Sequence, residues 1–132
     1  MSDSTHSSTT VAEIGVAMFT VSDQDAALSW YTGKLGYEVR SDVSFGDNGE
    51  NRWLEVAPPG SKARLALNPP MAGQPGGGSI GVETPDLDAE HERLKGAGVE
   101  VADPMSPPGA PRMFSFQDPD GNYIWVVETP AQ

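Results

Sequence analysis

Side chains that could carry out catalysis or hold a metal ion are few in this sequence. It contains no cysteine and only two histidines, His6 and His91. Disulfides, thiolate catalysis and cysteine-ligated metals are therefore excluded. His6 lies in a Ser/Thr-rich stretch, and His91 lies on a predicted helix, where we expect a packed or surface side chain. A Ser-His-acid triad needs a histidine beside its nucleophile, and neither histidine supports one.

Metal chemistry would have to rest on carboxylates. A catalytic divalent metal usually takes about three protein ligands and keeps one position open. Glu55, Glu83 and Glu128 could form such a set, although no motif joins them. The three glycines at residues 76–78 lack the Lys-Ser/Thr of a phosphate-binding loop and predict a linker. The residues thus predict no catalytic constellation, and a carboxylate-only metal site stays open as an alternative.

The sequence is strongly acidic, with 19 Asp and Glu against 8 Lys and Arg and a formal net charge of −11. Nucleic-acid binding is disfavoured because phosphate contacts need lysines and arginines. The acidity is typical of a soluble protein and could attract a cationic ligand. No stretch reaches the roughly 18 apolar residues of a membrane span, and no signal-peptide pattern begins the chain. We expect a cytoplasmic protein, since the lack of cysteine fits a reducing compartment.

Residues 114–127 predict a β-hairpin. Pro119 fixes one backbone angle of the turn, and Asp120-Gly121-Asn122 are residues that tolerate turn conformations. Aromatic and β-branched residues flank the turn on both sides. Their alternation predicts that Tyr123, Trp125 and Val127 lie on one face, and Ile124 and Val126 on the other. A hairpin alone is marginally stable, so it needs further sheet beside it.

The rest of the chain predicts that sheet as two copies of one arrangement. The same order of strand, helix and three strands occurs before and after a Pro/Gly-rich stretch, with a repeat of about 63 residues. The first strand, residues 14–21, is continuously apolar and predicts burial on both faces. Ser22 or Asp23 is predicted to begin the first helix, and Gly36 to end it. In the second half, residues 99–101 are predicted to form a short strand.

This repeat predicts an α+β fold. Two βαβββ modules form a curved mixed sheet around a shared cavity, with the helices outside. The predicted segments are a disordered tail (1–12), the first module (13–68), a flexible Pro/Gly-rich linker (69–78), the second module (79–128) and a C-terminal tail (129–132).

Two sets of motifs resemble a known family. Val21-Ser22-Asp23 and Trp30-Tyr31-Thr32-Gly33-Lys34-Leu35-Gly36-Tyr37 resemble the first half of the vicinal oxygen chelate superfamily, which includes glyoxalases, bleomycin-resistance proteins and extradiol dioxygenases. Leu87-Asp88-Ala89, Gly98-Val99-Glu100-Val101 and Phe116-Gln117-Asp118-Pro119-Asp120-Gly121-Asn122 resemble its second half. The resemblance covers roughly residues 13–128 and implies paired βαβββ modules, often completed by dimerisation. We therefore expect a homodimer.

The resemblance also implies where a metal would lie. Enzymes of the family usually hold one divalent metal with His, Gln or Glu ligands on the first and last strands of the modules. The matching positions here are Val16, Ser79 and Trp125, so no metal role carries over and no cofactor is predicted. The sequence leaves catalysis open and favours binding over it, with no catalytic residue assigned. The alternative is a metal-dependent lyase or dioxygenase of the glyoxalase type with displaced ligands.

What remains is a concave, partly aromatic pocket. Aromatic faces beside carboxylates suit flat or cationic organic molecules, and such a small-molecule ligand is the expected partner. In the alternative interpretation, Met18 and Trp125 fill the pocket as core. The alternation leaves open the ligand's identity and whether one chain or two form the cavity. The predicted ligand-binding residues are Met18, Trp53, Glu55, Ser79, Glu83, Met113, Tyr123 and Trp125.

Overall fold

The computed structural model describes residues 8–70 and 74–129, which contain seven strands and two helices. In the first half, a sheet of order β1-β4-β3-β2 accompanies one helix. Its elements are β1 (Val16–Thr20), α1 (Gln24–Gly33), β2 (Glu38–Phe45), β3 (Asn51–Ala57) and β4 (Arg64–Asn68). In the second half, a sheet of order β5-β7-β6 accompanies the other helix. Its elements are β5 (Ser79–Thr84), α2 (Leu87–Gly96), β6 (Met113–Gln117) and β7 (Tyr123–Glu128).

The two halves repeat one topology, as the sequence predicts. In each half the first strand runs parallel to the last one, β1 beside β4 and β5 beside β7. Each helix begins at an aspartate, because the side chains of Asp23 and Asp86 accept hydrogen bonds from backbone amides in the first turn. The predicted α+β class of paired modules is confirmed.

One apolar core joins both halves. α1 packs against β3 and β4, and α2 packs against β7. Buried residues of both sheets and both helices form a single cluster. Trp30 of α1 packs against it, with its ring centroid 6.2 Å from that of Phe116 of β6. Because each helix covers one face of its sheet, the opposite face, called here the open face, has no helix over it.

The structure corrects two sequence predictions. β1 is buried on one face only, because Phe19 is 2% exposed whereas Met18 is 61% exposed. The predicted strand at residues 99–101 is reduced to one bridge between Val101 and Phe116. The prolines that follow, at positions 104, 107 and 108, cannot donate to a strand ladder, so the second sheet has three strands in the part of the chain that the structure describes.

The stretch predicted as a flexible linker contacts both halves at its end. The Gly76 amide donates to the Thr20 carbonyl (3.1 Å), and the Gly78 amide donates to Oδ1 of Asn122 (3.0 Å). Residues 71–73 of this linker lie outside the described residues. So do residues 1–7 of the predicted tail, including His6, and residues 130–132.

The hairpin turn joins the halves through Asp118, which is 4% exposed. Its carboxylate accepts hydrogen bonds from the Tyr31 hydroxyl of α1 (2.7 Å) and from Nδ2 of Asn122 (3.0 Å). Asn122 in turn donates to the Thr20 carbonyl at the end of β1 (3.1 Å). The turn therefore fixes the second sheet against the first strand and first helix of the chain.

Candidate functional site

The strand register places the predicted ligand-binding residues on the open faces. In the first sheet, Met18 and Glu55 both pair with Ala66, so the two side chains share a face. Trp53 lies two residues before Glu55 on that face. In the second sheet, Ser79 pairs with Tyr123, and Glu83 pairs with Val127, which pairs with Met113. Trp125 lies on this face between Gly81 and Ser115, so the predicted alternation of β7 is confirmed.

Glu55 is a buried carboxylate on the open face of the first sheet. Its side chain is 8% exposed. Oε1 accepts a hydrogen bond from Nε of Arg64 (2.9 Å), and Oε2 accepts one from the Trp53 indole (2.8 Å). Each oxygen therefore has a donor, and the arginine balances the buried charge. Because both of its oxygens already have donors, Glu55 positions Trp53 and Arg64 rather than binding a ligand directly.

The aromatic and thioether side chains of the open faces remain accessible. Met18 is 61% and Tyr123 is 41% exposed, and Trp53 and Trp125 are half-buried. In this chain, then, Met18 and Trp125 are not closed into the core. Tyr123 also lines a separate surface groove with Trp30 and Ser115.

A cleft of about 630 Å³ separates the two sheets. Tyr37, Pro58 and Pro59 form part of its wall, with Arg64 on the side of the first sheet and Glu83 on the side of the second. A second cavity of about 320 Å³ adjoins it and shares its tyrosine, prolines and Glu83. Burial raises the pKa of the Tyr37 phenol well above its ordinary value, and the nearby Glu90 charge adds to this. The phenol therefore stays protonated at neutral pH in a residue that lines both cavities.

The eight predicted residues are not gathered in one place by the described chain. Met18, Trp53 and Glu55 lie on the first sheet, and Ser79, Glu83, Met113, Tyr123 and Trp125 lie on the second. The cleft brings Glu83 to the same space as Arg64 of the first sheet. It is therefore the feature that links the two halves of the candidate site.

The family's metal positions supply no metal ligand of the usual kind. Val16 has no donor atom, the Trp125 indole is a donor only, and Ser79 offers one neutral hydroxyl. Within residues 8–70 and 74–129, no three His, Asp or Glu side chains form a group that could hold a metal ion. The donor set at these positions does not fit a divalent metal.

The carboxylates of the alternative metal site are also not gathered together. Glu128 lies 3.6 Å from Arg112 and accepts from the Leu87 amide at the start of α2 (3.4 Å), whereas Glu55 lies on the other sheet.

The His91 ring packs against Phe114 with centroids 4.8 Å apart, and its Nε2 lies 3.0 Å from the Ala102 carbonyl oxygen. His91 is therefore a packed side chain.

Comparison with known proteins identifies the family. A family model described as "Glyoxalase/Bleomycin resistance protein/Dioxygenase superfamily" matches residues 13–126. The chain belongs to this superfamily. The fold of its members accounts for the paired modules, and the resemblance predicted from the sequence is confirmed.

Relatives are similar to the chain along nearly their whole length. A superfamily member from Sphaerobacter thermophilus DSM 20745 is 34% identical with a TM-score of 0.82, covering 90% of this chain and 98% of that one. TnmS3, an antibiotic binding protein from Streptomyces sp. CB03234, is 33% identical with a TM-score of 0.80, covering 92% and 99%. YetH of Bacillus subtilis (strain 168), an uncharacterised protein, is 32% identical over 121 residues, which are 89% of this chain and 99% of YetH.

Sequence reasoning missed two residues of the cleft. Arg64 stands at the start of a predicted strand, where a charged residue is ordinary. Its partnership with Glu55 depends on the register of β3 and β4, which alternation within one strand does not give. Tyr37 follows Gly36 as a strand residue and gives no separate signal.

In the described part of the chain, neither helix is long and apolar enough to cross a membrane.

Proposed function

We propose that this superfamily member binds a small organic molecule, aromatic or cationic, on its open sheet faces and in the adjoining cleft, without a metal. The observation that carries the proposal is Trp125. It occupies a metal position of the family on an open face, and it is half-buried rather than enclosed.

The surroundings of Trp125 suit a flat ligand. Its neighbours on the adjacent strands are Gly81 and Ser115, which are both small. A Cβ added at Gly81 would meet no atom within 4 Å, so space is open beside the indole. An aromatic ring can stack in such a space and gain about 0.5–1.5 kcal/mol beyond the apolar area that it buries.

Charge supports the cationic part of the proposal. Glu83 lies in the cleft, and its carboxylate has no hydrogen bond or ion pair within the described residues. A ligand ammonium would find there an acceptor that is already free. The acidity of the whole chain would also attract such a ligand. TnmS3 is described as an antibiotic binding protein, which supports a binding role on this fold.

Binding of matched aromatic probes tests the proposal. Naphthylmethanol is the neutral probe and naphthylmethylamine the cationic one, and calorimetry measures both. Gly81→Val should weaken binding by about tenfold, because it fills the space beside Trp125 and each 1.4 kcal/mol is tenfold. Gly33→Val adds the same side chain at an exposed helix position with no atom near it and should leave affinity unchanged. If neither probe binds, or if Gly81→Val binds as tightly as the native protein, the proposal is wrong.

Elemental analysis tests whether the protein lacks a metal. Protein purified without chelator is analysed for Mn, Fe, Ni, Zn and Mg. One equivalent of any of these metals, bound tightly enough to survive gel filtration, would favour the alternative of a metal-dependent enzyme with displaced ligands.

A second copy of the chain is the proposed cover of the open faces. Val43 and Phe45 lie on the same face as Trp53, and they are 53% and 49% exposed. Together with Trp53, which pairs with Val43, they form an apolar strip, of the kind that marks an interaction surface. The partner's second sheet, which has its own open face, is suited to cover it. The homodimer would then complete a cavity that each chain leaves open.

Sedimentation equilibrium tests the dimer. Phe45→Glu places a charge in the apolar strip and should shift the protein to a monomer. Val11→Glu is the matched control, because Val11 is 72% exposed and lies outside both sheets. A native protein that sediments as a monomer at high concentration would contradict the proposal.

A further inference from the structure

Two opposite charges line the cleft without pairing with each other. Arg64 extends from β4 on one side, and Glu83 lies on β5 on the other. The ion pair of Arg64 is with Glu55, and Glu83 has none among the described residues. An ion pair between Arg64 and Glu83 would stabilise the folded chain if the two side chains could reach each other. The cleft therefore keeps a positive and a negative group apart.

Arg64 is held at its inner nitrogen. Nε donates to Oε1 of the buried Glu55 at 2.9 Å. The other carboxylate oxygen is fixed by the Trp53 indole at 2.8 Å, so the carboxylate has little freedom to turn. The guanidinium thus contacts Glu55 through Nε, and its two terminal nitrogens have no hydrogen-bond acceptor among the described residues. The Arg64 side chain is 40% exposed, so a ligand can reach it.

The four other arginines differ from Arg64 in this respect. Each of them uses both terminal nitrogens within the described part of the chain. Their acceptors are backbone carbonyls for Arg40, backbone carbonyls and the Glu90 carboxylate for Arg93, and carboxylates for Arg52 and Arg112. Arg64 is the arginine of the described chain whose terminal N–H groups have no acceptor. Arg64 lines the cleft instead.

We propose that Arg64 determines ligand specificity by binding an acidic group of the ligand, a carboxylate or a similar pair of oxygen acceptors. The planar fork of an arginine matches a carboxylate with two parallel hydrogen bonds. The inference rests on the proposed function, because it names a chemical group of the ligand that the open faces and cleft would hold. The aromatic body lies towards Trp125, the acidic group lies at Arg64, and a basic group, where present, lies at Glu83.

Four naphthyl probes that differ in charge test the inference. They are the neutral naphthylmethanol, the anionic naphthoate, the cationic naphthylmethylamine and the zwitterionic naphthylalanine. We expect the native protein to bind naphthoate about tenfold more tightly than naphthylmethanol, because charge-assisted bidentate pairs are strong. Arg64→Gln should remove that preference. Glu83→Gln should weaken naphthylmethylamine and tighten naphthoate, since it removes a repelling charge from the same cleft.

Lys62→Gln is the matched control for net charge. Lys62 lies two residues before Arg64 but does not line the cleft, so the change removes the same charge without touching the site. Its affinity for naphthoate should stay within about twofold of the native value. If Lys62→Gln reduces naphthoate binding as much as Arg64→Gln does, the preference is a long-range charge effect and the inference is wrong.

A double variant controls for the effect of Arg64→Gln on folding. The single change leaves Glu55 buried without its arginine, which can unfold a protein. Glu55→Gln combined with Arg64→Gln removes both charges, and it too should lose the naphthoate preference. If naphthylmethanol binds as tightly as naphthoate to the native protein, the role of Arg64 is overturned and the proposed function stands. If neither naphthylmethanol nor naphthylmethylamine binds, the proposed function itself is overturned.

Discussion

The Asp118 side chain is buried and has no cationic partner among the described residues. Four donors compensate its burial. They are the Tyr31 hydroxyl, Nδ2 of Asn122, and the backbone amides of Asp120 and Asn122, both at 2.9 Å. A buried carboxylate with several donors is stable, but it is costly to remove because its donors then lose their acceptor. The Asp-Pro-Asp-Gly-Asn motif therefore has a structural role at this position.

Asp118→Ala should destabilise the protein by about 3 kcal/mol. The physical reason is the loss of one acceptor shared by several buried donors, each of which costs about 1–3 kcal/mol when left unsatisfied. Chemical denaturation measures the change. Asp47→Ala is the control, because Asp47 is an exposed turn residue, and its unfolding midpoint should not move. A loss at Asp118 no larger than that at Asp47 would contradict this account of the motif.

The buried Tyr31 and the partly buried Tyr37 predict loss of stability at alkaline pH. Burial is the largest cause that raises the pKa of both Tyr31 and Tyr37, and the Asp118 carboxylate adds to it for Tyr31. The unfolded chain releases these protons near the ordinary value of about 10, whereas the folded protein retains them. The contribution of the tyrosines to stability should thus be constant below about pH 10 and fall above it, by at most about 1.4 kcal/mol per pH unit for each tyrosine.

Tyr37→Phe isolates one tyrosine of this effect. The Tyr37 hydroxyl makes no hydrogen bond in the described part of the chain, so the change removes the ionisable group and breaks no contact of that kind. Denaturation midpoints measured across alkaline pH should fall less steeply in this variant. Equal slopes for the variant and the native protein would show that Tyr37 ionises freely in the fold.

At the scale of elements, the sequence predicts what local periodicity determines. The hairpin, the alternation of β7 and the helix starting at Asp23 depend on neighbours within a few residues, and each was predictable. The exposure of Met18 depends on which face of the sheet α1 covers, and alternation within β1 does not show this. The Glu55–Arg64 pair depends on the register of two strands. The lost strand at residues 99–101 depends on a proline-rich loop that supplies too few donors.

The linker offers a matched pair of glycines for testing how tightly it is held. Gly76 and Gly77 have similar backbone angles, with φ of 90° and 84°. A Cβ at Gly76 would collide with the Asp120 carbonyl oxygen, and one at Gly77 would meet nothing within 4 Å. Gly77→Ala should cost only about 1 kcal/mol of backbone strain. Gly76→Ala should cost clearly more, because it also separates the linker from the hairpin turn.

Thermal unfolding compares the two variants. Equal midpoints for Gly76→Ala and Gly77→Ala would mean that the linker moves aside freely, as a flexible connection would. A lower midpoint for Gly76→Ala would mean that residues 76–78 are part of the joint between the halves.

At the scale of the whole molecule, the two halves are joined by much more than the linker. Their sheets and helices share one apolar core. At the ends of the helices, Nζ of Lys34 donates to the Ala97 carbonyl (2.7 Å), and Arg93 donates to the Leu35 carbonyl (2.9 Å). An internal repeat could in principle give two modules that fold separately. The shared core indicates instead that neither half keeps its buried surface without the other.

The halves should therefore unfold in one cooperative transition, and the tryptophans can report it. Trp53 lies on β3 of the first half and Trp125 on β7 of the second. With Trp30→Phe in both cases, Trp125→Phe leaves a reporter in the first half, and Trp53→Phe leaves one in the second. Each variant is unfolded in denaturant, and its fluorescence is compared with its own circular dichroism, so that the cost of each substitution cancels. Coincident transitions are expected in both variants, since a two-state domain shows the same midpoint to every probe. A fluorescence midpoint that differs from the circular dichroism midpoint would mean that one module unfolds first and that the shared core is weaker than its burial implies.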